Sequence, residues 1–146
     1  MHPFHLAFPV RDIASTRAFY CGTLGRPEAR SAERWIDIDF WGHQLSAHVV
    51  DAAELDAPAT NAVDGKAVPT RHFGMVLPWD EWHALVDHLR ATLGSEGAPD
   101  DAFHIAPTVR WEGLPGEQWT CFVLDPSGNA LEFKTFKDPE QLWATD

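Results

Sequence analysis

Three side chains in this sequence have the types and the placement to hold a divalent metal. His5 lies in Phe4-His-Leu-Ala-Phe8, His72 in Arg71-His-Phe-Gly-Met75, and Glu132 in Ala130-Leu-Glu-Phe-Lys-Thr135. Each stretch alternates, so the bulky apolar residues share one face and the histidine or glutamate points from the other. A carboxylate in the middle of an otherwise apolar strand is costly to bury without a partner. Two neutral imidazoles and one carboxylate form the two-histidine, one-carboxylate set that binds Fe(II) with positions left open, and that also accepts Mn, Zn or Ni. A single inward histidine is more often a hydrogen-bonded core residue than a ligand. It is the matched placement of all three that makes His5, His72 and Glu132 the expected ligands, with Fe(II) the favoured ion.

The elements that must position them repeat. Pro3–Val10 reads as a strand, followed by a helix that Asp12 or Ser15 can cap and that carries Ile13, Thr16, Ala18, Phe19, Tyr20 and Leu24 inward. Gly25-Arg-Pro27 stops it, a short strand falls near Glu28–Ser31, and Arg34–Trp41 and His43–Val50 form a hairpin about Gly42. Residues 51–69, rich in Ala, Asp, Pro and Asn without a sustained period, read as a linker. The pattern then starts again. Arg71–Leu77 is a strand, Pro78 opens a helix that Gly94 closes, and Phe103–Trp111, Glu117–Leu124 and Ala130–Phe136 are three strands. Asp125-Pro-Ser-Gly-Asn129 is strong turn chemistry between the last two. After Lys137 the chain is polar, with Leu142 and Trp143 as candidates to dock. The order is therefore strand, helix, three strands, linker, and the same once more, an internal duplication visible as architecture. It predicts one α+β domain over residues 1–146, with a first module at about 3–50 and a second at about 70–137. If the bulky faces pack under the helices, the opposite faces of the two half-sheets can curl into a cleft.

Composition bounds what such a chain binds. Apolar residues make up 45% of 146 positions, enough for a folded core, and no apolar run approaches the length of a membrane span. The formal net charge of −11 disfavours nucleic acid and anionic membrane as partners, and leaves a small molecule as the expected one. Met1–His5 lacks the basic and apolar regions of a signal peptide, so a cytoplasmic protein is expected. Cys21 and Cys121, far apart in such a chain, are read as reduced packing residues.

With these pieces assembled, the sequence resembles the vicinal oxygen chelate superfamily, which includes glyoxalase I, extradiol ring-cleaving dioxygenases, bleomycin-binding proteins and fosfomycin-resistance thiol transferases. The resemblance is carried by His5-Leu-Ala-Phe-Pro-Val-Arg-Asp12, Ala18-Phe-Tyr20 with Leu24-Gly25, Arg71-His72-Phe-Gly74, and Asp125-Pro-Ser-Gly-Asn-Ala-Leu-Glu132. It implies two βαβββ modules forming a cupped mixed sheet around a metal-binding cleft, with His5, His72 and Glu132 as ligands. Glyoxalase I usually places a Glu or Gln as a fourth ligand on the last strand of the first half. Counting four residues past the turn glycine, as from Gly128 to Glu132, lands here on Ser46. That departure points away from glyoxalase activity and towards an extradiol-dioxygenase-like oxidoreductase. The alternatives are a glyoxalase-like lyase or isomerase, a thiol transferase, or a metal-free binding protein of the bleomycin-resistance kind. A homodimer is expected, as in many members.

Parity along the strands supplies the remaining candidates. His48, two residues beyond Ser46 on the same face, is the candidate acid/base, with packing as the alternative. Trp119, Cys121 and Val123 are expected to share the face of Glu132, and Trp35, Asp37 and Asp39 that of His5 if their strand keeps register. Trp119, Cys121 and Trp35 are thus candidate substrate contacts. Arg110 is another, either anchoring an anionic substrate or pairing with a surface glutamate.

Overall fold

Alternation decides which side of each strand is buried, and hairpin register then carries that choice from strand to strand. The structure is a computed structural model that describes residues 2–55 and 59–145, and these divide into two compact units. Both have the same α+β topology, the βαβββ module.

In the first unit, β1 (His5–Val10) leads into α1 (Ile13–Arg17), whose amino end is capped by Asp12, Oδ1 accepting the Ser15 N–H at 2.7 Å. The helix does not continue as α. Residues Ala18–Thr23 form a π-helical segment, and the consecutive Phe19 and Tyr20 are both buried there. Such widening of the turn is a recognised local device that simple 3.6-residue periodicity does not foresee. Then come β2 (Glu28–Ala32), β3 (Trp35–Phe40) and β4 (His43–Val49), in the sheet order β1-β4-β3-β2, with β1 parallel to β4 and the other pairs antiparallel. The β3–β4 connection is Trp41-Gly42, both at positive φ (53° and 84°), the backbone of a tight primed turn.

This unit also includes Asp125–Asn129. The Asp125 carboxylate accepts the Tyr20 hydroxyl at 2.9 Å, the Ser127 N–H at 2.9 Å, the Asn129 N–H at 2.8 Å and the Asn129 side-chain amide at 2.8 Å. Asn129 also donates to the Pro9 carbonyl, and Arg11 donates from its backbone to Ser127 Oγ and from its guanidinium to the Pro126 carbonyl. Burial first, and then Asp125, holds the Tyr20 phenol well above its ordinary pKa, so it stays a donor.

In the second unit, β5 (Thr60–Val63) and β6 (Lys66–Pro69) form a hairpin, followed by β7 (His72–Val76), α2 (Trp79–Leu93), β8 (Ile105–Arg110), β9 (Gln118–Leu124) and β10 (Ala130–Thr135). The sheet order is β7-β10-β9-β8, with β7 parallel to β10. Helix α2 buries Trp82, Val86 and Leu89, and the Trp82 indole N–H donates to the Phe133 carbonyl at 2.8 Å. Leu131, Phe133, Cys121 and Val123 are fully buried in the same unit.

The expected linker at 51–69 is only partly a linker. Its second half is the β5–β6 hairpin, closed by Asp64-Gly65 at φ 47° and 72°. Asp-Gly is a strong hairpin signal, but the flanking Thr60-Asn-Ala-Val63 and Lys66-Ala-Val-Pro69 lack the apolar alternation that would have announced strands. In the tail, Gln141 makes a contact, accepting the Gly116 N–H at 2.9 Å, whereas Trp143 is 81% exposed. Both cysteines are free, and among the described residues no helix is long and apolar enough to cross a membrane.

Candidate metal centre

Parallel pairing of the first and last strand of each module sets the site. In the second unit His72 lies opposite Ala130 and Gly74 opposite Glu132, so His72 and Glu132 sit diagonally on adjacent strands and on one face. The His72 Nε2 lies 3.3 Å from Glu132 Oε2. The other ring nitrogen, Nδ1, is 2.6 Å from the Pro69 carbonyl, which can only accept, so Nδ1 carries a proton. Close approach of the two backbones requires glycine at 74, because a Cβ built there would fall 1.6 Å from the Glu132 carbonyl oxygen.

Glu132 is 6% exposed, yet it is well supplied with donors. Thr120 Oγ donates to Oε1 at 2.6 Å, and Lys134 Nζ lies 3.5 Å from Oε2. Burial pushes the carboxyl pKa up, but the hydrogen bonds from His72 and Thr120 and the charge of Lys134 outweigh it and bring it down to about 2. His72 moves the opposite way: its bond to Glu132 raises its pKa, against burial. The Phe122 ring meets the imidazole edge-on, at 5.2 Å and 75°.

In the first unit, His5 pairs with Gln44 and Ala7 with Ser46, so Ser46 holds the register position that Glu132 holds in the second. The carboxylate there comes from the neighbouring strand. Asp37, opposite Ser46 and 4% exposed, accepts from Ser46 Oγ at 2.5 Å, from Gln44 Nε2 at 3.3 Å and from Arg30 at 3.4 Å. The His5 Nδ1 is 2.9 Å from Gln44 Oε1, and the imidazole is exposed. Trp35 and Asp37 share the face of Gln44 and Ser46, as parity along β3 required. His48 is exposed at the far end of that face, opposite Trp35 and Pro9. It is four residues from Gln44, about 13 Å along an extended strand. Trp35 lies under the Arg30 guanidinium, 5.8 Å from its ring centre.

The parity assumed for β9 is reversed. Leu124 pairs with Ala130 and Phe122 with Glu132, so equal parities face each other across the five-residue connection Asp125–Asn129. Gln118, Thr120 and Phe122 therefore share the face of Glu132; Trp119, Cys121 and Val123 lie on the other. Trp119 packs edge-to-face on Trp79 at 4.9 Å, under Lys137. Cys121 is fully buried, and burial pushes its thiol pKa up to about 12. Neither shares the Glu132 face, which removes the geometric reason for reading them as substrate contacts. Arg110 is on the Glu132 face, opposite Gln118, but it is 6% exposed and donates from Nη2 to the Val63 carbonyl at 3.0 Å, tying down the β5–β6 hairpin. Among the described residues its Nε has no hydrogen-bond partner.

The donor chemistry fits a divalent ion at His72 and Glu132. Two ligand atoms each about 2.1 Å from one ion stand roughly 3.0–3.4 Å apart in octahedral or tetrahedral geometry; theirs stand 3.3 Å apart. Among the described residues no group of three or more His, Cys, Asp or Glu side chains gathers to hold a metal; His72 and Glu132 lie together in the second unit, and His5 belongs to the first. Thr120 and Gln44 are the residues that sequence reasoning passed over. Gln44 lies on the face of Ser46 and His48, where its amide alone announces no role, and Thr120 was hidden by the reversed parity.

Comparison with known proteins places this geometry. The family model described as "Glyoxalase/Bleomycin resistance protein/Dioxygenase superfamily" matches residues 2–133, and the chain belongs to that superfamily. A solved structure of a glyoxalase/bleomycin resistance protein/dioxygenase from Alicyclobacillus acidocaldarius is 33% identical, with a TM-score of 0.75, covering 97% of this chain and 96% of that one. The fosfomycin resistance protein FosX from Listeria monocytogenes is 14% identical, with a TM-score of 0.65 and coverage of 97% and 98%. Lactoylglutathione lyase from Agrobacterium tumefaciens is also 14% identical, with a TM-score of 0.58 and coverage of 97% and 96%. These last two share the fold alone. A comparison with curated proteins gives no match.

Proposed function

We infer that this protein is a divalent-metal-dependent enzyme acting on a small substrate that chelates through oxygen, most like an extradiol dioxygenase, with His72, Glu132 and His5 as ligands. The observation that carries this reading is the His72–Glu132 pair: Nε2 and Oε2 at 3.3 Å, with Nδ1 committed to the Pro69 carbonyl. An imidazole held through Nδ1–H binds a metal through Nε2, which would give up the proton it shares with Glu132 as the ion enters. A bound divalent ion supplies Lewis acidity and, as Fe(II), a route for electrons between substrate and O₂.

The chain's own residues prepare that centre. Thr120 fixes one oxygen of Glu132 and leaves the other towards His72. Lys134 keeps a cation beside the carboxylate, which favours its ionised form and supplies a positive charge next to a bound anionic substrate. Phe122, fully buried opposite Glu132, packs edge-on against the His72 imidazole and fixes the plane of that ring. Ser46 in the register position of Glu132 leaves the first module without a fourth acidic ligand on β4, which favours the dioxygenase reading over the glyoxalase one.

The test is elemental analysis of protein purified without chelator or nickel resin, with one preparation made anaerobically. About one iron per chain, lost in His72→Ala, together with oxygen uptake on catechols, supports the reading. Stoichiometric zinc, nickel or manganese moves the assignment to a lyase, isomerase or thiol transferase. No metal, even on reconstitution, makes the protein a binding module.

A further inference from the structure

The two histidines are held by different means. His72 is fixed by a backbone carbonyl, which no substitution at that residue removes. His5 is fixed by a side chain, the Gln44 amide, which could present either its oxygen or its nitrogen to the ring. What decides the direction is Asp37. Its carboxylate only accepts, and it lies 3.3 Å from Gln44 Nε2. Reversing the amide would set Oε1 against that carboxylate and leave the buried acid short of a donor. With Nε2 committed to Asp37, Oε1 must face His5, and His5 must answer with Nδ1–H. Ser46 and Arg30 hold Asp37 in place by donating to it at 2.5 and 3.4 Å.

We propose that Asp37 and Gln44 are positioning residues: a carboxylate–amide relay that locks His5 in the Nδ1–H tautomer and presents its Nε2 lone pair outward. The relay runs across three adjacent strands, β3, β4 and β1, through side chains that share one face. It explains why the first module carries a buried aspartate opposite Ser46 where the second has Phe122 opposite Glu132. In the second module the acid is a ligand; in the first it sets a ligand's orientation. What the presented nitrogen serves rests on the metal reading above, but the relay itself is a property of the metal-free chain.

The experiment is therefore long-range ¹H–¹⁵N NMR of metal-free protein in chelator at about pH 8.5, about two units above the ordinary imidazole pKa. His5 is assigned by its disappearance in His5→Gln. The expected result is a single Nδ1–H tautomer for His5 in the parent, loss of that signature in Gln44→Leu, and partial loss in Asp37→Asn, whose amide no longer dictates the direction of Gln44. His72 keeps its Nδ1–H signature in all three, which shows that the fold is intact. A parent His5 bearing its proton on Nε2, or an unchanged His5 in Gln44→Leu, overturns the relay. Zinc affinity is measured alongside and is expected to fall about 10- to 100-fold in Gln44→Leu. A changed tautomer with unchanged zinc affinity overturns His5 as a ligand and leaves the relay standing.

Discussion

Replacing Glu132 with glutamine tests the centre of the second module through the stability of the metal-free protein. The substitution keeps the shape and removes the charge that faces His72 at 3.3 Å and Lys134 at 3.5 Å. Carrying the carboxyl from its ordinary 4.5 to about 2 in the folded chain corresponds to about 3 kcal/mol of stability where both partners are charged. The unfolded chain binds the extra proton first as pH falls. This stability is therefore complete above about 4.5 and is lost as pH descends through the folded value near 2. His72 has the opposite sign. Its raised folded pKa gives stability that is full below the unfolded value of 6.5 and disappears as pH rises through the folded one. The two effects share one interaction, so they are counted once, as a plateau between roughly pH 4.5 and 6.5 with a fall on either side. Urea unfolding of parent and Glu132→Gln, in chelator from pH 3 to 9, gives a difference curve with that plateau. A difference that is flat across the whole range would refute the assignment of a charged pair at this site, whatever its size.

Two further substitutions test the frame around the site. Gly74→Ala forces a methyl onto the Glu132 carbonyl oxygen, where a Cβ would lie at 1.6 Å, so β7 must part from β10. We expect a loss of about 3 kcal/mol or more, and a melting curve within error of the parent would show that the strands do not approach so closely. Tyr20→Phe removes the hydroxyl that donates to the buried Asp125 at 2.9 Å, while the Ser127 and Asn129 donors remain. The expected cost is about 1–2 kcal/mol, read as a lower urea midpoint at unchanged slope; no shift in midpoint would dismiss the Tyr20–Asp125 bond as a contributor.

What could be read in the sequence follows from which signals are local. The faces of His5, His72 and Glu132 were legible because period-two alternation is written within each strand, and the module order was legible because helix and strand periods alternate twice. Register was not, for a physical reason. Whether Trp119 or Thr120 joins Glu132 depends on whether the connection at Asp125–Asn129 has an odd or even length of unpaired residues, and composition does not say where pairing resumes. Across Trp41-Gly42 the same inference succeeded, because a two-residue turn leaves little choice and Trp35 and Asp37 came out on the right face. The β5–β6 hairpin escaped because its strands are too polar to alternate. Arg110 was read as an anchor for an anionic substrate or a partner of a surface glutamate, but its bond to the Val63 carbonyl depends on a hairpin that had been read as loop.

The Asp125–Asn129 turn has a consequence for the order in which the protein can be made. Tyr20 and its acceptor are 105 residues apart in the chain. At roughly 5–20 residues per second of synthesis, the phenol of the first unit waits on the order of 5–20 s for Asp125 to be joined to the growing chain. Until then that unit also lacks the Ser127 and Asn129 contacts to Arg11 and Pro9. The amino-terminal half is thus the first to be translated but is completed only at Asn129, immediately before the β10 strand that the second unit still awaits, and a chain cut between the modules would release a first half with Tyr20 still missing its acceptor.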